Sequence, residues 1–473
     1  MSQFGHVLEK TPSGIAGLDD VTGGMPRNRI ILIAGGPGTG KTLFGTHFIV
    51  SGALEFDEPG VFVSFEESEE EIAQNVASLG WDLHELTRQQ KIIVDNVRLN
   101  RDEILETGAF DLEGLFIRMQ HAIDSIGAKR VVLDTVEYLF SGLPNELILR
   151  SELKRLFRWL KEKGVTTIVT GEKGTGGGIT RFGLEEYVSD CVIELDHRIT
   201  EEVSTRRIRV VKYRGSVHGT NEYPFLITEH GLSVLPITSA GLDYEVSSEF
   251  VTTGIPQLDT LLDGKGFFKG SSVLLTGTAG SGKSSFAAHF ANATCQQGKK
   301  CLYFAFEEST AQITRNMRSI GVDLEACRKR GLLQIHASRP TEYGLEQHLT
   351  FMFDRVEKEK PSFIIIDPIS SFDVAGSSGQ VKSLLTRFVD YLKNRAITSV
   401  FTELIPEQGE LYHSRAVVVS SLMDTWILLR NQEKERRRRK TISIIKARGM
   451  NHSPEIFEFH LSLQGVDITG VEK

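Results

Sequence analysis

Cysteine is scarce in this chain of 473 residues, which holds only four, and none of them forms a C-x-x-C pair. A disulfide framework and a thiolate metal site are therefore not expected, and the four are interpreted as packing residues of a protein kept reduced. No run of apolar residues approaches the ~18 needed to cross a membrane. The N-terminal sequence MSQFGHVLEK also lacks the apolar core of a secretion signal. We therefore predict a cytoplasmic protein without a membrane anchor.

An excess of positive charge is also missing. The formal net charge is −8, so the chain as a whole has no electrostatic attraction to nucleic acid or to an anionic membrane. One basic run occurs at residues 433–440, EKERRRRK. Because it begins with alternating acids and carries no aromatic residue that stacks on bases, a solvated or inter-subunit hairpin is favoured over nucleic-acid binding.

What the chain does have is one phosphate-binding motif that occurs twice. Residues 35–42 read GGPGTGKT and residues 277–284 read GTAGSGKS, and both fit G-x-x-x-x-G-K-[ST]. Each follows an apolar run typical of a buried strand and precedes a helix-like segment, which is the context that this motif requires. The glycines let backbone N–H groups turn towards phosphates, the lysine reaches the terminal phosphates, and the last hydroxyl binds Mg²⁺. The predicted ATP-binding residues are Gly38, Thr39, Gly40, Lys41, Thr42 and Leu43, and then Gly280, Ser281, Gly282, Lys283, Ser284 and Ser285.

The duplication extends along the chain as matched phrases in the same order. VFVSFEES is followed later by CLYFAFEES, VVLDT by IIIDP, and RIRVVKYRGSVH by TISIIKARGMNH. Two domains are therefore predicted, residues 1–240 and 241–473, with a boundary in the stretch 236–248. Short apolar runs alternate with mixed-charge segments, which predicts an α/β fold class: a mostly parallel sheet covered by helices in each domain. The charged segments 206–213 and 436–446 are predicted to extend these sheets as exposed strands.

Two kinds of acidic residue complete the predicted sites. An aspartate ends the strand of each VVLDT or IIIDP phrase, where a carboxylate orients the Mg²⁺ shell. A glutamate pair ends the strand after each P-loop helix, where a carboxylate can accept a proton from water or a hydroxyl. The alternative is that the first pair only opens a helix within the acidic run EESEEE, but the second copy keeps the pair without the run. The predicted catalytic residues are Glu66, Glu67, Glu307 and Glu308 with Lys41 and Lys283, and the predicted Mg²⁺ ligands are Thr42, Asp134, Ser284, Glu307 and Asp367.

Tandem P-loops, each followed by F-E-E-S, an Asp-ended strand and K-x-R-G, resemble the KaiC family of the bacterial circadian clock, a double-domain branch of the RecA-like ATPases. The resemblance covers nearly the whole chain and includes the phrase GTNEYPFLITEHGL. It implies two tandem RecA-like P-loop NTPase domains in a two-tiered homo-hexamer, with ATP bound between neighbouring subunits. It also implies that the first ring hydrolyses ATP slowly, while the second phosphorylates and dephosphorylates itself.

The K-x-R-G phrases have a physical rationale beside this resemblance. They lie far downstream of their P-loops, yet phosphoryl transfer gains most from positive groups that meet the developing charge. Supplied by a neighbouring subunit, they would act in trans, and such a head-to-tail contact closes into a ring. The alternative is that they are solvated strand residues. The predicted nucleotide-binding residues of this kind are Lys212, Tyr213, Arg214, Lys446 and Arg448, to which the resemblance adds Ser78, Ser216, His218 and His452.

Only the second copy offers two adjacent hydroxyl groups, Ser420 and Ser421, where the first copy has Glu186 and Tyr187. Taken alone, adjacent serines before a strand are usually hydrogen-bonded turn residues. In the resembling family, the two phosphorylated residues stand at this place as a Ser followed by a Thr. The resemblance therefore implies that Ser420 and Ser421 are phosphoacceptors, with Glu307 accepting the hydroxyl proton.

The resemblance also bears on partners. Clock members of the family continue into a C-terminal tail on which the activator KaiA acts, whereas this sequence stops at Lys473, so regulation without KaiA is expected. Residues 110–130 are family-like, which makes a KaiB-like partner on the first ring plausible by analogy. Two other function classes stay open from the residues alone: a RecA-like DNA-dependent ATPase or recombinase, and an ATP-gated scaffold.

Overall fold

The chain divides into two compact units, Met1–Ile237 and Thr238–Lys473. Most of the stretch predicted to carry the domain boundary lies outside the described residues, as do Glu186 and Tyr187. This computed structural model describes residues 8–97, 112–140, 146–174, 178–181, 183, 188–200, 203–235, 246–406, 419–434 and 437–471.

The first unit combines a large sheet with helices on both of its faces. Its strands are β1 Lys10–Thr11, β2 Met25–Pro26, β3 Ile30–Gly35, β4 Gly60–Ser64, β5 Ile92–Asn96, β6 Arg130–Asp134, β7 Thr166–Glu172, β8 Cys191–Thr200, β9 Val203–Tyr213, β10 Glu222–Thr228 and β11 Gly231–Val234. Its described helices are α1 Leu18–Thr22, α2 Lys41–Glu55, α3 Glu69–Ala77, α4 Leu83–Arg88, α5 Glu113–Ile126, α6 Val136–Phe140 and α7 Glu146–Glu162.

The second unit repeats this arrangement. Its strands are β12 Phe250–Val251, β13 Phe267–Phe268, β14 Ser272–Gly277, β15 Cys301–Ala305, β16 Leu333–Ala337, β17 Phe363–Asp367, β18 Thr398–Leu404, β19 Thr425–Lys434, β20 Arg437–Ala447, β21 Ile456–Ser462 and β22 Gly465–Thr469. Its described helices are α8 Pro256–Leu261, α9 Lys283–Gln296, α10 Thr310–Arg318, α11 Leu324–Lys329, α12 Leu345–Glu359 and α13 Ser378–Lys393, with 3₁₀ turns at Pro340–Glu342 and Ile369–Val374.

Each unit contains one nine-stranded sheet, ordered β11-β10-β9-β8-β3-β7-β6-β4-β5 in the first and β16-β15-β17-β18-β14-β19-β20-β21-β22 in the second. The six strands from β8 to β5, and the six from β16 to β19, are parallel, and the remaining three in each sheet are antiparallel. The predicted fold class, two tandem RecA-like α/β domains, is confirmed. The charged segments predicted to extend the sheets do so within β9 and β20, apart from residue 436, which lies outside the described residues.

The P-loop strands β3 and β14 lie inside their sheets, and all six residues of each are buried. Helices cover both faces of these strands, which explains why they read as continuous apolar runs rather than as alternating patterns. In the second unit, Phe286 and Phe290 of α9 pack on one face, and Leu385 and Phe388 of α13 pack on the other. The rigid sheet therefore sets the position of each loop that follows its strands.

The serine of each F-E-E-S phrase caps the helix that follows it. Ser68 accepts a hydrogen bond from the Glu71 backbone N–H, and the Glu71 side chain accepts from the Ser68 N–H, which is a capping box at the start of α3. Ser309 and Gln312 form the same box at α10. The glutamate pair before each serine is thereby held in the short turn between the strand and the capped helix.

Arg130, at the start of β6, is completely buried in the first unit. Its guanidinium group donates to Glu58 Oε2 at 2.7 Å, to the Phe48 carbonyl at 2.7 Å and to the Pro12 carbonyl at 2.9 Å. Removing one partner of a buried ion pair leaves an uncompensated charge. We therefore expect Glu58→Met to lower the free energy of unfolding of this unit by about 3–5 kcal/mol in urea titrations.

This destabilisation should depend on pH. Burial by itself would raise the pKa of Glu58, but the hydrogen bond and attraction from Arg130 outweigh it, and the pKa is lowered. A carboxyl group with a lowered pKa contributes stability above its unfolded-state pKa and loses it as the pH falls. The difference between wild type and Glu58→Met should therefore shrink as the pH falls below about 4.5. Glu249→Met, which removes an exposed partner of Lys269, should leave the unfolding midpoint unchanged, and an equal loss in both variants would contradict this account.

Candidate functional site

The first P-loop is a tight turn between β3 and α2. Gly38 and Gly40 have φ values of 69° and 102°, a left-handed backbone that residues with a Cβ rarely adopt, so these two positions require glycine. Lys41 Nζ donates to the carbonyls of Gly35 at 2.9 Å and Gly36 at 3.0 Å, and Thr39 is buried against the turn. The lysine thus lies folded over the loop at the positive end of α2, where phosphates bind in such turns.

A carboxylate of the neighbouring strand reaches this loop. Thr42 Oγ1 donates to Asp134 Oδ2 at 2.8 Å, and Thr170 donates to the other oxygen of Asp134. Burial raises the pKa of Asp134, against the hydrogen bonds of both threonines and the attraction of Lys41. A hydroxyl and a carboxylate paired at the end of a P-loop are the protein groups that suit a nucleotide-bound Mg²⁺, whose other ligands are phosphate oxygens and water.

The second P-loop has the same backbone. Gly280 and Gly282 have φ values of 70° and 107°, and Lys283 Nζ donates to the Gly277 carbonyl at 2.9 Å and to the Thr278 carbonyl at 3.0 Å. A cavity of about 400 Å³ opens above this loop and is lined partly by Ser284, Ser285, Glu307 and Asp367. The predicted loop, base and metal positions of the second unit therefore share one cavity.

The second site differs from the first around its aspartate. The two oxygens of Asp367 accept hydrogen bonds from Tyr303 and Thr402. Tyr303 stands where the first unit has Phe62, which has no hydroxyl group. Sequence reasoning missed Tyr303 and both threonines, although Thr170 and Thr402 occupy matching strand ends and this repetition was a usable signal.

The two glutamate pairs are held alike. Glu66 and Glu307 are exposed, and Glu307 accepts from Ser371 Oγ at 3.0 Å. Glu67 accepts from Asn75 Nδ2 at 3.2 Å, and Glu308 accepts from Asn316 Nδ2 at 3.2 Å. The second glutamate of each pair is thus tied to its helix, and the first is left at the surface of the turn. The asparagines were missed, although each stands eight residues after its glutamate.

In the first unit the second glutamate of the pair has altered acidity. Burial, with repulsion from Asp134 and Glu71, raises the pKa of Glu67. Its Oε2 atom is buried and has no hydrogen-bond partner among the residues that the structure describes. A carboxylate with a raised pKa beside a P-loop is better able to accept a proton from a reacting group.

One cation of the basic run lies at the second P-loop. Lys440 Nζ donates to the Gly280 carbonyl at 2.8 Å, and burial lowers the pKa of this lysine. Asn431, on the adjacent strand, donates to the Ala279 carbonyl at 3.3 Å. Sequence reasoning interpreted the whole run as a solvated or inter-subunit hairpin, so Lys440 is a residue at the P-loop of its own chain that it missed. Only the register of β19 against β20 brings it over the loop.

The K-x-R phrases lie at the other end of the sheet from the P-loop of their own unit. In the first unit β3 is parallel to β8, with Gly35 opposite Leu195 and Ile31 opposite Cys191, and Cys191 is paired with Tyr213. Four residues along a strand correspond to roughly 13 Å. We call the end with the P-loops the P-loop edge and the other end the opposite edge.

The second unit has the same geometry, and its serine pair lies at the same edge as its K-x-R phrase. Strand β19 begins next to Val273 and passes Gly277 only four residues later, so the residues before β19 and after β20 lie at the opposite edge. Lys446 Nζ donates to the Ser420 carbonyl at 2.6 Å, and Arg448 donates to the Ser421 carbonyl at 3.0 Å. The predicted acceptors and the predicted trans-acting cations are therefore bound to each other on one chain.

Ser420 is half-buried at the end of a helical segment, and Ser421 is exposed in the turn that follows it and precedes β19. Burial lowers the pKa of Lys446, as does repulsion from Arg448. The segment before this turn, residues 407–418, lies outside the described residues.

The remaining predicted residues have varied surroundings. Tyr213 is buried, and its hydroxyl donates to the Gly24 carbonyl at 2.7 Å, so its side chain anchors β9. His218 stacks on it with ring centroids 6.2 Å apart. The other positions are Lys212 and Arg214 at the end of β9, Ser216 half-buried in the next turn, Ser78 exposed after α3, Leu43 packed on the core, Ser281 buried in the loop, and His452 half-buried after β20.

The described residues lack two further kinds of feature. They contain no group of three or more His, Cys, Asp or Glu side chains arranged to hold a metal ion. Among the same residues, no helix has the length and apolar character needed to span a membrane.

Comparison with known proteins identifies related sequences in both units. Residues 11–239 and residues 251–473 each match the sequence profile of the family described as "ATPase: KaiC". The two matched stretches carry one P-loop, one F-E-E-S phrase and one K-x-R-G phrase each.

Named relatives are similar over almost the full chain. "Circadian clock protein KaiC2" of Synechocystis sp. is 53% identical over 463 residues, which cover 98% of this chain and 81% of that protein. "Circadian clock oscillator protein KaiC" of Synechococcus elongatus is 36% identical over 465 residues, covering 98% and 89%. The protein of the same name in Parasynechococcus marenigrum is 36% identical over 463 residues, covering 98% and 90%.

Proposed function

Since this chain belongs to the KaiC family of ATPases, we propose that it is an ATP-dependent serine autokinase and autophosphatase with slow ATPase activity. In this proposal it works as a two-tiered homo-hexamer in circadian-type timing or signalling. ATP binds at both P-loops between neighbouring subunits. The second unit transfers phosphate to Ser420 and Ser421, and the first unit transfers it to water.

The observation that supports this proposal best is the separation of the two edges. The P-loop, Glu307 and Lys283 lie at the P-loop edge of the second unit, whereas Ser420 and Ser421 lie at its opposite edge. A chain therefore does not bring its own serines to its own P-loop, and transfer needs a second copy. Head-to-tail contact of unlike surfaces is heterologous, and it closes into a ring when the rotation permits.

The serines and the cations would reach the same neighbour together. Lys446 and Arg448 are hydrogen-bonded to the backbone of the two serines, so a subunit that presents a hydroxyl group also presents two positive charges. Positive charge near the transferred group stabilises the charge that develops on its oxygens. This arrangement gives the K-x-R phrase a function that a solvated strand end would lack.

In the transfer step the serine oxygen bonds to the terminal phosphorus as the bond from that phosphorus to the bridging oxygen of ADP breaks. Glu307 accepts the hydroxyl proton, while Glu308 stays tied to Asn316 and keeps the turn in place. Lys283 moves from the loop carbonyls to the phosphates that replace them. In the first unit, Glu67 and Glu66 are the pair that accepts the proton of the attacking water molecule. The raised pKa of Glu67 suits this task.

The residues at both sites fit ATP and Mg²⁺. The glycines leave open space where a Cβ would stand at Gly38 and Gly280, so a phosphate can approach the backbone closely. Thr42 with Asp134, and Ser284 with Asp367 and Glu307, are the side chains proposed to hold Mg²⁺. When bound, Mg²⁺ neutralises phosphate charge and orients the terminal phosphate.

A groove on the first unit suits the proposed KaiB-like partner. It has a volume of about 790 Å³ and lies between α5 and α7, within reach of the segment 110–130 named from the sequence. Ile117 in this groove is 69% exposed, and Phe116 stacks on Trp159 with centroids 5.1 Å apart. Lys154, Arg155 and Arg158 line the same groove. Glu113 and Glu162 line the groove as well, and Arg155 is ion-paired with Glu113. An exposed apolar residue flanked by charges of both signs suits a protein partner with an apolar centre and a polar rim.

The intact mass of purified protein tests this proposal. After incubation with ATP and Mg²⁺, the wild type should gain mass in steps of one phosphate, and Ser420→Ala/Ser421→Ala should gain none. Ser377→Ala, which removes an N-cap hydroxyl, is a control that should label normally. ATP hydrolysis without added mass would favour a scaffold, and strong stimulation of hydrolysis by single-stranded DNA would favour a DNA-dependent ATPase instead.

A further inference from the structure

A buried glutamate that the proposed mechanism does not use lies next to the second P-loop strand. Glu403, in β18, is only 3% exposed, and its register partner on β14 is Thr276, the residue before the first glycine of the P-loop. Its Oε2 atom is buried and has no hydrogen-bond partner among the described residues. Because an unsatisfied buried acceptor costs free energy, the retention of a carboxyl group here needs a reason.

The charge of Lys283 acts on this carboxyl group. Burial lowers the pKa of Lys283, and the charges of Asp367, Glu307 and Glu403 oppose that change. An ammonium group has three N–H donors, and two of them bond to the carbonyls of Gly277 and Thr278. Lys283 therefore keeps one N–H group for a further acceptor, and Glu403 Oε2 is a buried acceptor without a donor among the described residues.

The first unit has a glycine at the position of Glu403. Gly171 pairs with Ala34 of the P-loop strand just as Glu403 pairs with Thr276. A Cβ atom on Gly171 would lie 3.1 Å from Glu137 Oε1, so the carboxyl group of Glu137, itself 5% exposed, occupies the space into which such a side chain would extend.

Glu137 comes from a different element, helix α6, which follows the Asp134 strand. Its Oε1 atom accepts a hydrogen bond from the Glu172 backbone N–H. At the matching place of the second unit, Ser370 Oγ accepts from the Leu404 N–H at 3.4 Å. Each unit thus places a buried glutamate carboxyl group beside the last residues of its P-loop strand, supplied by α6 in the first and by β18 in the second.

We propose that Glu403 is a positioning residue of the second site, which accepts a hydrogen bond from Lys283 when this lysine binds the terminal phosphates of a nucleoside triphosphate. We propose the same role for Glu137 in the first site. This inference rests on the proposed function only in taking the second P-loop as a nucleotide site. It concerns how tightly the site holds a triphosphate, rather than whether phosphate is transferred.

The nucleotide makes this contact necessary. A terminal phosphate draws the ammonium group of Lys283 away from the loop carbonyls, and the lysine then depends on a fixed acceptor behind it for orientation. Burial raises the pKa of Glu403 to about 8, against the attraction of Lys283. The carbonyl oxygen of a neutral carboxyl group accepts a hydrogen bond as the side-chain oxygen of glutamine does. Glutamine should therefore replace Glu403, whereas an apolar residue of similar size should not.

The first test is a binding titration with adenylyl imidodiphosphate, which is not hydrolysed, and with ADP. Loss of a hydrogen bond to a charged group should weaken binding by about 10–100-fold. We expect Glu403→Leu to show this loss for the triphosphate analogue at one of two sites per chain, with a change below about 3-fold for ADP. Glu403→Gln should stay within about 3-fold of wild type for both ligands. Equal losses for both ligands, or unchanged binding of the analogue by Glu403→Leu, would overturn the proposal.

Moving the carboxyl group from position 403 to position 370 distinguishes this role from a general packing effect. Glu403→Gly should lose affinity for the analogue, and adding Ser370→Glu, which copies the arrangement of Glu137 and Gly171, should restore at least about half of the loss in log Kd. Failure of this second substitution to restore binding in a protein that still binds ADP would contradict the equivalence of the two carboxyl groups. The proposed function fails on a different result, namely no phosphate gained by wild-type protein that binds both ligands normally.

Discussion

Co-expression of two inactive variants should restore phosphorylation. Lys283→Ala keeps both acceptor serines but loses the P-loop lysine of the second site, and Ser420→Ala/Ser421→Ala keeps the site but loses the acceptors. Each variant alone should incorporate no phosphate. In mixed assemblies the Lys283→Ala chain should become labelled, because its serines lie at the opposite edge and meet the intact P-loop of a neighbour.

Intact mass of the two chains, distinguished by tags of different length, measures this result. Label on the Lys283→Ala chain alone is the expected outcome. A wild-type-like gain in mass by Lys283→Ala expressed by itself would mean that the second P-loop does not supply the phosphate. No label in mixed assemblies, with both chains folded and assembled, would argue against transfer between subunits.

The second large effect is expected at the glutamate pair of the second unit. Glu307→Gln/Glu308→Gln should reduce the rate of phosphate incorporation by about 10²–10⁴-fold, because glutamine cannot accept the proton of the attacking hydroxyl group. Nucleotide affinity should change little, since the P-loop, Lys283 and two of the three side chains proposed to hold Mg²⁺, Ser284 and Asp367, are untouched, and glutamine keeps an oxygen at the position of Glu307. The rate is followed by transfer of labelled phosphate from ATP to the protein.

The first unit provides the matched control for this experiment. Glu66→Gln/Glu67→Gln removes the corresponding pair from the other site and should slow ATP hydrolysis while leaving phosphate incorporation nearly intact. Full labelling of the Glu307→Gln/Glu308→Gln variant would show that another group takes the proton. Equal effects of the two double variants on both activities would show that the pairs do not have separate functions.

The sequence was sufficient for the features that are contiguous in the chain. The P-loops, the Asp-ended strands and the repeated phrases were read directly, and the parallel sheets followed from uninterrupted apolar runs such as those of β3 and β14. Each of these signals depends on neighbouring residues, whose spacing is preserved when the chain folds.

Residues that reach the sites across the sheet were not predicted. Lys440 contacts Gly280 only because β20 is antiparallel to β19 in one particular register. Tyr303 meets Asp367 across two adjacent strands. Glu403 and Glu137 occupy equivalent space, but they stand at positions that do not correspond when the two copies are aligned residue by residue. The alignment therefore does not relate them. Strand-pairing register and side-chain direction determine these contacts, and neither can be predicted from a local sequence motif.

The bonds from Lys446 and Arg448 to the carbonyls of Ser420 and Ser421 have a consequence for a whole assembly. In the closed ring proposed above, each subunit would be phosphorylated by the subunit next to it, at an interface that both share. No subunit would phosphorylate its own serines. The number of phosphorylated subunits would then be a property of the whole ring. A single inactive copy would leave its neighbour unphosphorylated without stopping transfer elsewhere in the ring.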